Sequence, residues 1–206
     1  MDYNEKNIIA YDKMADNYDN TLDGKFTERF KKLLLNTVTV KEGYSVLDIG
    51  CGNGTLLSRM AKLNQIQGFG TDISPQMIKN ATARYPELRF VVSNCEKMPF
   101  DDESMDIITV CAAYHHFPNV NAFAIEAKRL LKKGGIIYIA EVFLPFGVRH
   151  IANIFLPLSK DGDVKFYSPK EIASTFMNNG FNFVKSTVKG HIQIIHLQIE
   201  KGSSVK

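Results

Sequence analysis

The sequence predicts an α/β fold: a mostly parallel, seven-stranded sheet that ends in an antiparallel hairpin, with two helices ahead of it as an N-terminal cap. Three observations predict it. Between residues 45 and 142, short β-rich runs alternate with stretches of helical apolar spacing, the pattern of βαβ units and a parallel sheet. The first run is followed by glycines at positions 50, 52 and 54, where the chain can turn tightly from strand into helix. The last two runs are separated only by Lys189-Gly190, which leaves room for a tight hairpin and none for a crossover helix.

In chain order, residues 5–18 and 25–38 read as two helices that cover one edge of the sheet. Residues 45–49 form the first, buried strand. Leu56, Leu57, Met60, Ala61 and Leu63 then recur at helical spacing. A second strand over 66–71 leads to Ser74-Pro75, a helix cap followed by a proline at the first helical position. Residues 88–93 and 105–111 are the third and fourth strands. Val120, Phe123, Ala124, Ala127, Leu130 and Leu131 line one helix face, Gly134-Gly135 ends that helix, and 136–142 is the fifth strand. The aromatic-rich connection over 143–167 is too long to be structureless in a small domain and is expected to be functional or partly helical. Ser168-Pro169 starts a last helix, with Ile172, Ala173, Phe176 and Met177 inward, and Gly180 ends it. Strands at 181–188 and 191–200 complete the hairpin, and 202–206 reads as a frayed tail.

The chain of 206 residues is the size of one domain. Residues 1–206 are taken as that domain, with 1–40 as the helical cap and 143–167 as a lid. A net charge of +3 is too mild to direct the chain to nucleic acid. Cys51, Cys95 and Cys111 form neither a CxxC pair nor a Cys/His cluster, so no metal site is expected, and free thiols suit a reducing compartment. The polar, acidic start carries no secretory signal. The apolar region 136–158 is broken by Glu141, Arg149, His150 and Asn153, so no transmembrane segment is expected. A cytoplasmic monomer or homodimer follows.

The chemistry begins at the glycine turn. It brings backbone close to a ligand and exposes helix amides to an anionic group, which can be a phosphate, a pyrophosphate or a carboxylate. Asp48, two residues before the first glycine, separates these. A carboxylate there repels a pyrophosphate and suits a ligand carrying an ammonium or a sulfonium. Asp72, about twenty residues beyond the turn, stands where an acidic side chain accepts ribose hydroxyls. Asn94 ends the third strand, where its oxygen and the Cys95 amide can meet a base, or where it is simply a turn asparagine.

These stretches resemble the motifs of class I S-adenosylmethionine-dependent methyltransferases. Val46-Leu47-Asp48-Ile49-Gly50-Cys51-Gly52-Asn53-Gly54 is similar to their first motif, Gly70-Thr71-Asp72-Ile73-Ser74-Pro75 to the second, and Asn94-Cys95-Glu96 with Met98-Pro99-Phe100 to the third. Met105-Asp106-Ile107-Ile108 through Tyr114-His115-His116-Phe117 resembles the fourth, and Leu130 to Gly135 the fifth. Tyr11-Asp12-Lys13-Met14-Ala15 near the start and Phe166-Tyr167-Ser168-Pro169 also match. The ordered set covers almost the whole chain and is closest to the UbiE-like, type 11 group.

The resemblance implies a Rossmann-like methyltransferase sandwich that binds S-adenosylmethionine and releases S-adenosylhomocysteine. It implies that Asp48 orients the methionine end against the Gly50 and Gly52 backbone, and that Asp72 holds the ribose. Ile73 and Met77 would pack on adenine near Asn94, which replaces the usual Asp, and Cys95. Cys51 and Cys111 belong to the same expected set. Tyr11 and Tyr18 would close over the cofactor, or serve only to pack the helices. His115 and His116 are the candidates for touching the acceptor, with a packing role as the alternative, and His150 is a candidate for lining its pocket. His191 and His196 read as ordinary strand residues. The apolar 143–158 stretch fits a hydrophobic or aromatic, quinone-precursor-like small-molecule acceptor, or else a helix packing on the core or a dimer contact. A nicotinamide-dependent oxidoreductase would share the glycine turn and Asp72 but has no use for Asp48. A non-catalytic cofactor-binding protein would share all of it.

Overall fold

Every strand of the predicted sheet forms, and their order explains where a ligand can sit. The computed structural model describes residues 2–156, 159 and 162–200; Leu158 and the 202–206 tail lie outside the described residues. The strands are β1 (Ser45–Ile49), β2 (Gln67–Asp72), β3 (Arg89–Val92), β4 (Met105–Cys111), β5 (Leu131–Val142), β6 (Phe181–Lys189) and β7 (Ile192–Ile199). They line up as β3-β2-β1-β4-β5-β7-β6. β1 to β5 run parallel, and β7 is antiparallel to both β5 and β6. The order reverses between β1 and β4, and ligands of open α/β sheets bind outside the carboxyl ends of the strands at such a switch point.

The helices are α1 (Tyr3–Met14), α2 (Leu22–Leu35), α3 (Thr55–Leu63), α4 (Pro75–Arg84), α5 (Val120–Leu130), α6 (Phe146–Phe155) and α7 (Pro169–Met177). Because side chains alternate along a strand, β1 sends Leu47 and Ile49 to one face and Val46 to the other. The first face packs Ile108, Val110, Ile137 and Ile139 under α5 and α7, with Phe123 and Phe176 fully buried. The opposite face joins Val46, Ile107, Tyr138 and Ile194 to Phe30 and Leu34 of α2 and to Leu56, Leu57 and Met60 of α3. The result is a three-layer α/β/α sandwich.

Four details differ from the sequence reading. First, α2 covers a face of the sheet, not an edge, because the apolar stripe of Phe30 and Leu34 needs the wide surface of β1, β4, β5 and β7. Second, α1 ends at Met14 and a 3₁₀ segment, Ala15–Asn20, follows it; Asn17 there is non-helical (φ −124°). Third, α5 passes directly into β5. The carbonyls of Arg129 and Leu130 accept from the amides of Glu103 and Ser104, and Leu131 pairs with Met105. Gly134-Gly135 therefore lies inside the strand, at an irregularity opposite Met105–Ile107, and does not end the helix. Fourth, Lys189 pairs with Ile192, so the hairpin loop is Gly190-His191. Gly190 takes φ +62° at the first central position, as a type II′ turn requires, and His191 stacks on Phe26 instead of joining a strand.

Candidate functional site

The carboxyl ends of β1, β2 and β4 open into one cavity with about 910 Å³ of empty space, mouth included. Its floor is the turn from β1 to α3. Gly50, Gly52 and Gly54 all have positive φ (+68°, +52° and +76°). At Gly50 a Cβ would stand 2.5 Å from that of Ala113, so a side chain there would collide with the wall. At Gly52 the nearest atom to a Cβ is the Met77 sulfur at 3.9 Å. A side chain at 52 would instead project into the cavity.

Asp72, at the end of β2, ties the floor to the next helix. One carboxylate oxygen accepts from the Gly52 amide at 2.8 Å and the other from the Ser74 amide at 2.9 Å. Burial pushes its pKa up, against the pull of those amides. Ser74 caps α4 by accepting from the Met77 amide. Asn94 lines the cavity, and its oxygen accepts from the Glu96 amide at 2.9 Å, the bond of a turn asparagine.

The roof is the N-terminal segment. Asn7, Tyr11 and Tyr18 line the cavity. Asp12 of α1 accepts from the Ser74 hydroxyl and, at 3.1 Å, from the Gln76 amide. Asp16 accepts from Gln76 and Asn80, and Asp19 pairs with Arg84 at 2.7 Å. The roof is thus fastened to α4 by side chains that each reach across the cavity edge. Burial pushes the Tyr18 phenol up to about 12 and raises that of Tyr11 well above its ordinary range, so both remain protonated. Burial also pushes the thiols of Cys51, Cys95 and Cys111 upward, which leaves none of them a nucleophile at neutral pH.

Tyr11, Tyr18, Gly50, Cys51, Gly52, Asp72, Ile73, Met77, Asn94, Cys95, Cys111 and His116 are brought together around this cavity. Asp48, His115 and His150 are not among its lining residues. Asp48 lies directly beneath the turn, 2% exposed, and accepts from the Thr109 hydroxyl of β4 at 2.7 Å. Desolvation raises its pKa to about 7, with the Thr109 bond opposing. His150 is exposed on α6 and stacks on Phe146. The 143–167 connection is partly helical, as its length predicts, but none of its described residues lines the cavity. Helix α6 turns Phe146, Ile151, Ile154 and Phe155 to solvent.

Several buried polar atoms of cavity-lining residues lack a hydrogen-bond partner: Asn7 Oδ1, Asn53 Oδ1 and Thr55 Oγ1. Unpartnered buried polar groups are costly, and these belong to residues that line the cavity. Ala112 adds a second kind of strain, φ +52° in a non-glycine residue at the cavity wall.

Comparison with known proteins fits this geometry. The methyltransferase-domain family matches residues 47–139. The demethylmenaquinone methyltransferase of Chlorobaculum tepidum is 36% identical over 100 residues, which are 48% of this chain and 41% of that protein. The family match is to a methyltransferase domain and spans just under half of the chain. The 2-methyl-6-phytyl-1,4-hydroquinone methyltransferase of Synechocystis is 36% identical to this chain over 106 residues, 50% of this chain and 33% of that one. The chain therefore spans less than half the length of these curated relatives. A chain of the complex between the Haloferax volcanii Trm112 methyltransferase activator and a methyltransferase superposes with a TM-score of 0.79 at 21% identity, covering 93% of this chain and 97% of that one. At that identity the likeness shows the fold. Among the described residues no helix is long and apolar enough to cross a membrane.

The sequence reading missed Lys31 and Asn7, which line the cavity, and Glu141 and Asp163, which surround the histidines. Lys31 sits on α2, which the reading assigned to an edge. Glu141 was legible only as a break in an apolar run. It is fully buried on β5, and its carboxylate holds His115 Nδ1 at 2.8 Å and the His115 and Val142 amides. Burial opposes the charged form of His115, but Glu141 and Asp163 outweigh it and raise its pKa. Burial and the neighbouring His115 push His116 well down.

Proposed function

We propose that the chain binds S-adenosylmethionine in this cavity and directs its methyl group to a hydrophobic or aromatic small-molecule acceptor, with S-adenosylhomocysteine as product. The observation that carries the reading is one cavity lined by the glycine turn, Asp72 and Asn94 from successive strand ends, together with unpartnered buried polar atoms. Bound there, the cofactor supplies an already activated methyl on a positive sulfonium, so the protein's task is alignment and exclusion of water. Asp72 keeps acceptor capacity beyond its bonds to the Gly52 and Ser74 amides, which a ribose hydroxyl could use. Ile73 and Met77 would pack on the base beside Asn94 and Cys95. Gly50, Cys51 and Gly52 offer backbone to the methionine end. Asp48, beneath the turn, supplies a carboxylate whose ionisation a nearby cation favours.

Tyr11 and Tyr18 close the roof, with faces suited to a sulfonium, and His116 marks the acceptor end. Residues 1–40 would then be a cover over the donor. The acceptor class is supported by the quinone-type names of the curated relatives. The exposed apolar face of α6 adds a surface that could meet such a molecule outside the cavity. A melting comparison tests the donor: S-adenosylmethionine and S-adenosylhomocysteine are expected to raise the melting temperature and NAD is not. Stabilisation by NAD alone would overturn the reading. Transfer of labelled methyl to demethylated quinols then tests the acceptor, and no product across such a panel would count against that class.

A further inference from the structure

Two histidines and an aspartate outside the proposed donor contacts converge at the cavity edge. His115 and His116 belong to the 3₁₀ turn Tyr114–His116 after β4, and Asp163 belongs to the segment ahead of α7. Nε2 of His115 and Nδ1 of His116 lie 3.5 Å and 3.2 Å from the same oxygen, Oδ1 of Asp163. The three atoms lie within 4.8 Å of one another.

An ordinary ion-pair cluster would close these gaps to about 2.7–2.9 Å, as charge-assisted hydrogen bonds do. His115 and Glu141 do close, at 2.8 Å. Here the gaps stay open, and both imidazoles are largely buried around the aspartate oxygen. The two histidine–aspartate spacings match another geometry. Four ligands placed about 2.0–2.1 Å from a tetrahedral ion are separated from each other by about 3.3 Å.

The atoms facing away from the centre are also accounted for. Nδ1 of His115 is held by Glu141, Nε2 of His116 by the Tyr11 hydroxyl at 2.8 Å, and Oδ2 of Asp163 accepts from Ser159 at 2.8 Å. Such outer bonds fix the tautomer and direction of metal-binding side chains, a carboxylate behind an imidazole being the commonest arrangement.

We propose that His115, His116 and Asp163 form a site for one divalent transition-metal ion, of which zinc fits best, with a fourth position open beside the His116 wall of the cavity. Two imidazoles and one carboxylate suit zinc and its neighbours, whereas magnesium and calcium require mostly oxygen ligands. A ligand with an oxygen donor completes the coordination. That the donor is a hydroxyl or carbonyl of the methyl acceptor rests on the methyl-transfer reading; the metal site itself does not. The sequence pointed away from a metal because its cysteines form neither a CxxC pair nor a Cys/His cluster, and Asp163 is far from the histidine pair along the chain.

The test uses the untagged chain, stripped with a chelator and free of any methyl donor. Zinc is titrated by calorimetry and cobalt by visible absorption. The expected result is one equivalent of each, with the intense bands of four-coordinate cobalt and no saturable uptake of magnesium. Asp163→Asn and His116→Asn should weaken zinc binding at least tenfold. Glu141→Gln keeps all three ligand atoms and should weaken it about 10–100-fold. Circular dichroism identifies which variants retain the fold. No saturable zinc uptake by the wild-type chain, or equal affinity in every folded variant, overturns the proposal. Donor binding is read separately from the melting shift, so failure of either reading leaves the other standing.

Discussion

The cavity floor turns on single atoms, and the two glycines that face different surroundings should fail differently. Gly52→Ala places its methyl in open cavity space but at φ +52°. The backbone strain costs about 1–2 kcal/mol. A small drop in melting temperature with loss of the S-adenosylmethionine-induced shift is expected. Gly50→Ala suffers similar strain and also meets Ala113 at 2.5 Å, an overpacking cost of roughly 1–3 kcal/mol more. Urea midpoints should therefore rank wild type, Gly52→Ala, then Gly50→Ala. Asp48 makes the opposite kind of trade. Its pKa rises from an ordinary 3.8 to about 7 on folding, so between those values the folded chain holds a proton that the unfolded chain has lost. Stability from this group is full below about pH 4 and falls as pH climbs toward 7, by on the order of 4 kcal/mol in all. Asp48→Asn removes that slope. The variant should melt higher than the wild type at pH 8, match it near pH 4, and bind the methyl donor less tightly. Equal melting curves at pH 8 would show that the carboxylate is not desolvated as its burial implies.

At the scale of elements, the helix starts were the most legible parts, because their chemistry is local. Ser74-Pro75 and Ser168-Pro169 each announce a cap and a first turn, and both caps form. The glycine turn was equally plain. What stayed hidden was set by partners far along the chain. The end of α5 depends on hydrogen bonds from Glu103 and Ser104, and nothing in the Gly134-Gly135 pair reveals them. Helix α2 lies on a face because of strands it meets only after folding. The roof illustrates the same dependence. Asp12 lies within α1, yet its bonds go to Ser74 and Gln76, over sixty residues away. Asp12→Ala should leave the global urea midpoint nearly unchanged, since the sheet core does not involve it. Hydrogen exchange in residues 3–20 should speed up by roughly 5–30-fold, as expected for about 1–2 kcal/mol of lost local stability.

For the molecule as a whole, the alternation of runs was enough to foresee the parallel sheet and its closing hairpin, and seven strands in the order β3-β2-β1-β4-β5-β7-β6 agree with it. The candidate site was legible where it follows the strand ends, as at Asp72 and Asn94. It was not legible where it gathers residues from segments without a pattern of their own. Asp163 and Lys31 reach the histidines and the cavity by topology alone. The connection over 143–167 shows the limit from the other side. Its apolar composition suggested a pocket wall, a helix on the core or a dimer contact; α6 exposes Phe146 and Ile154 by 79% and 61%, and none of the connection's described residues lines the cavity.

The fastening of that roof to α4 has a kinetic consequence. Asp12 on Ser74 and Asp19 on Arg84 clasp the roof to α4, and donor entry is expected to wait for that clasp to part. The observed rate of association should then stop rising at high S-adenosylmethionine concentration and level off at the opening rate. Stopped-flow traces of the wild-type chain should show this plateau, and loosening the clasp with Asp12→Ala should lift it. A rate that stays linear in concentration would mean that the roof stands open most of the time.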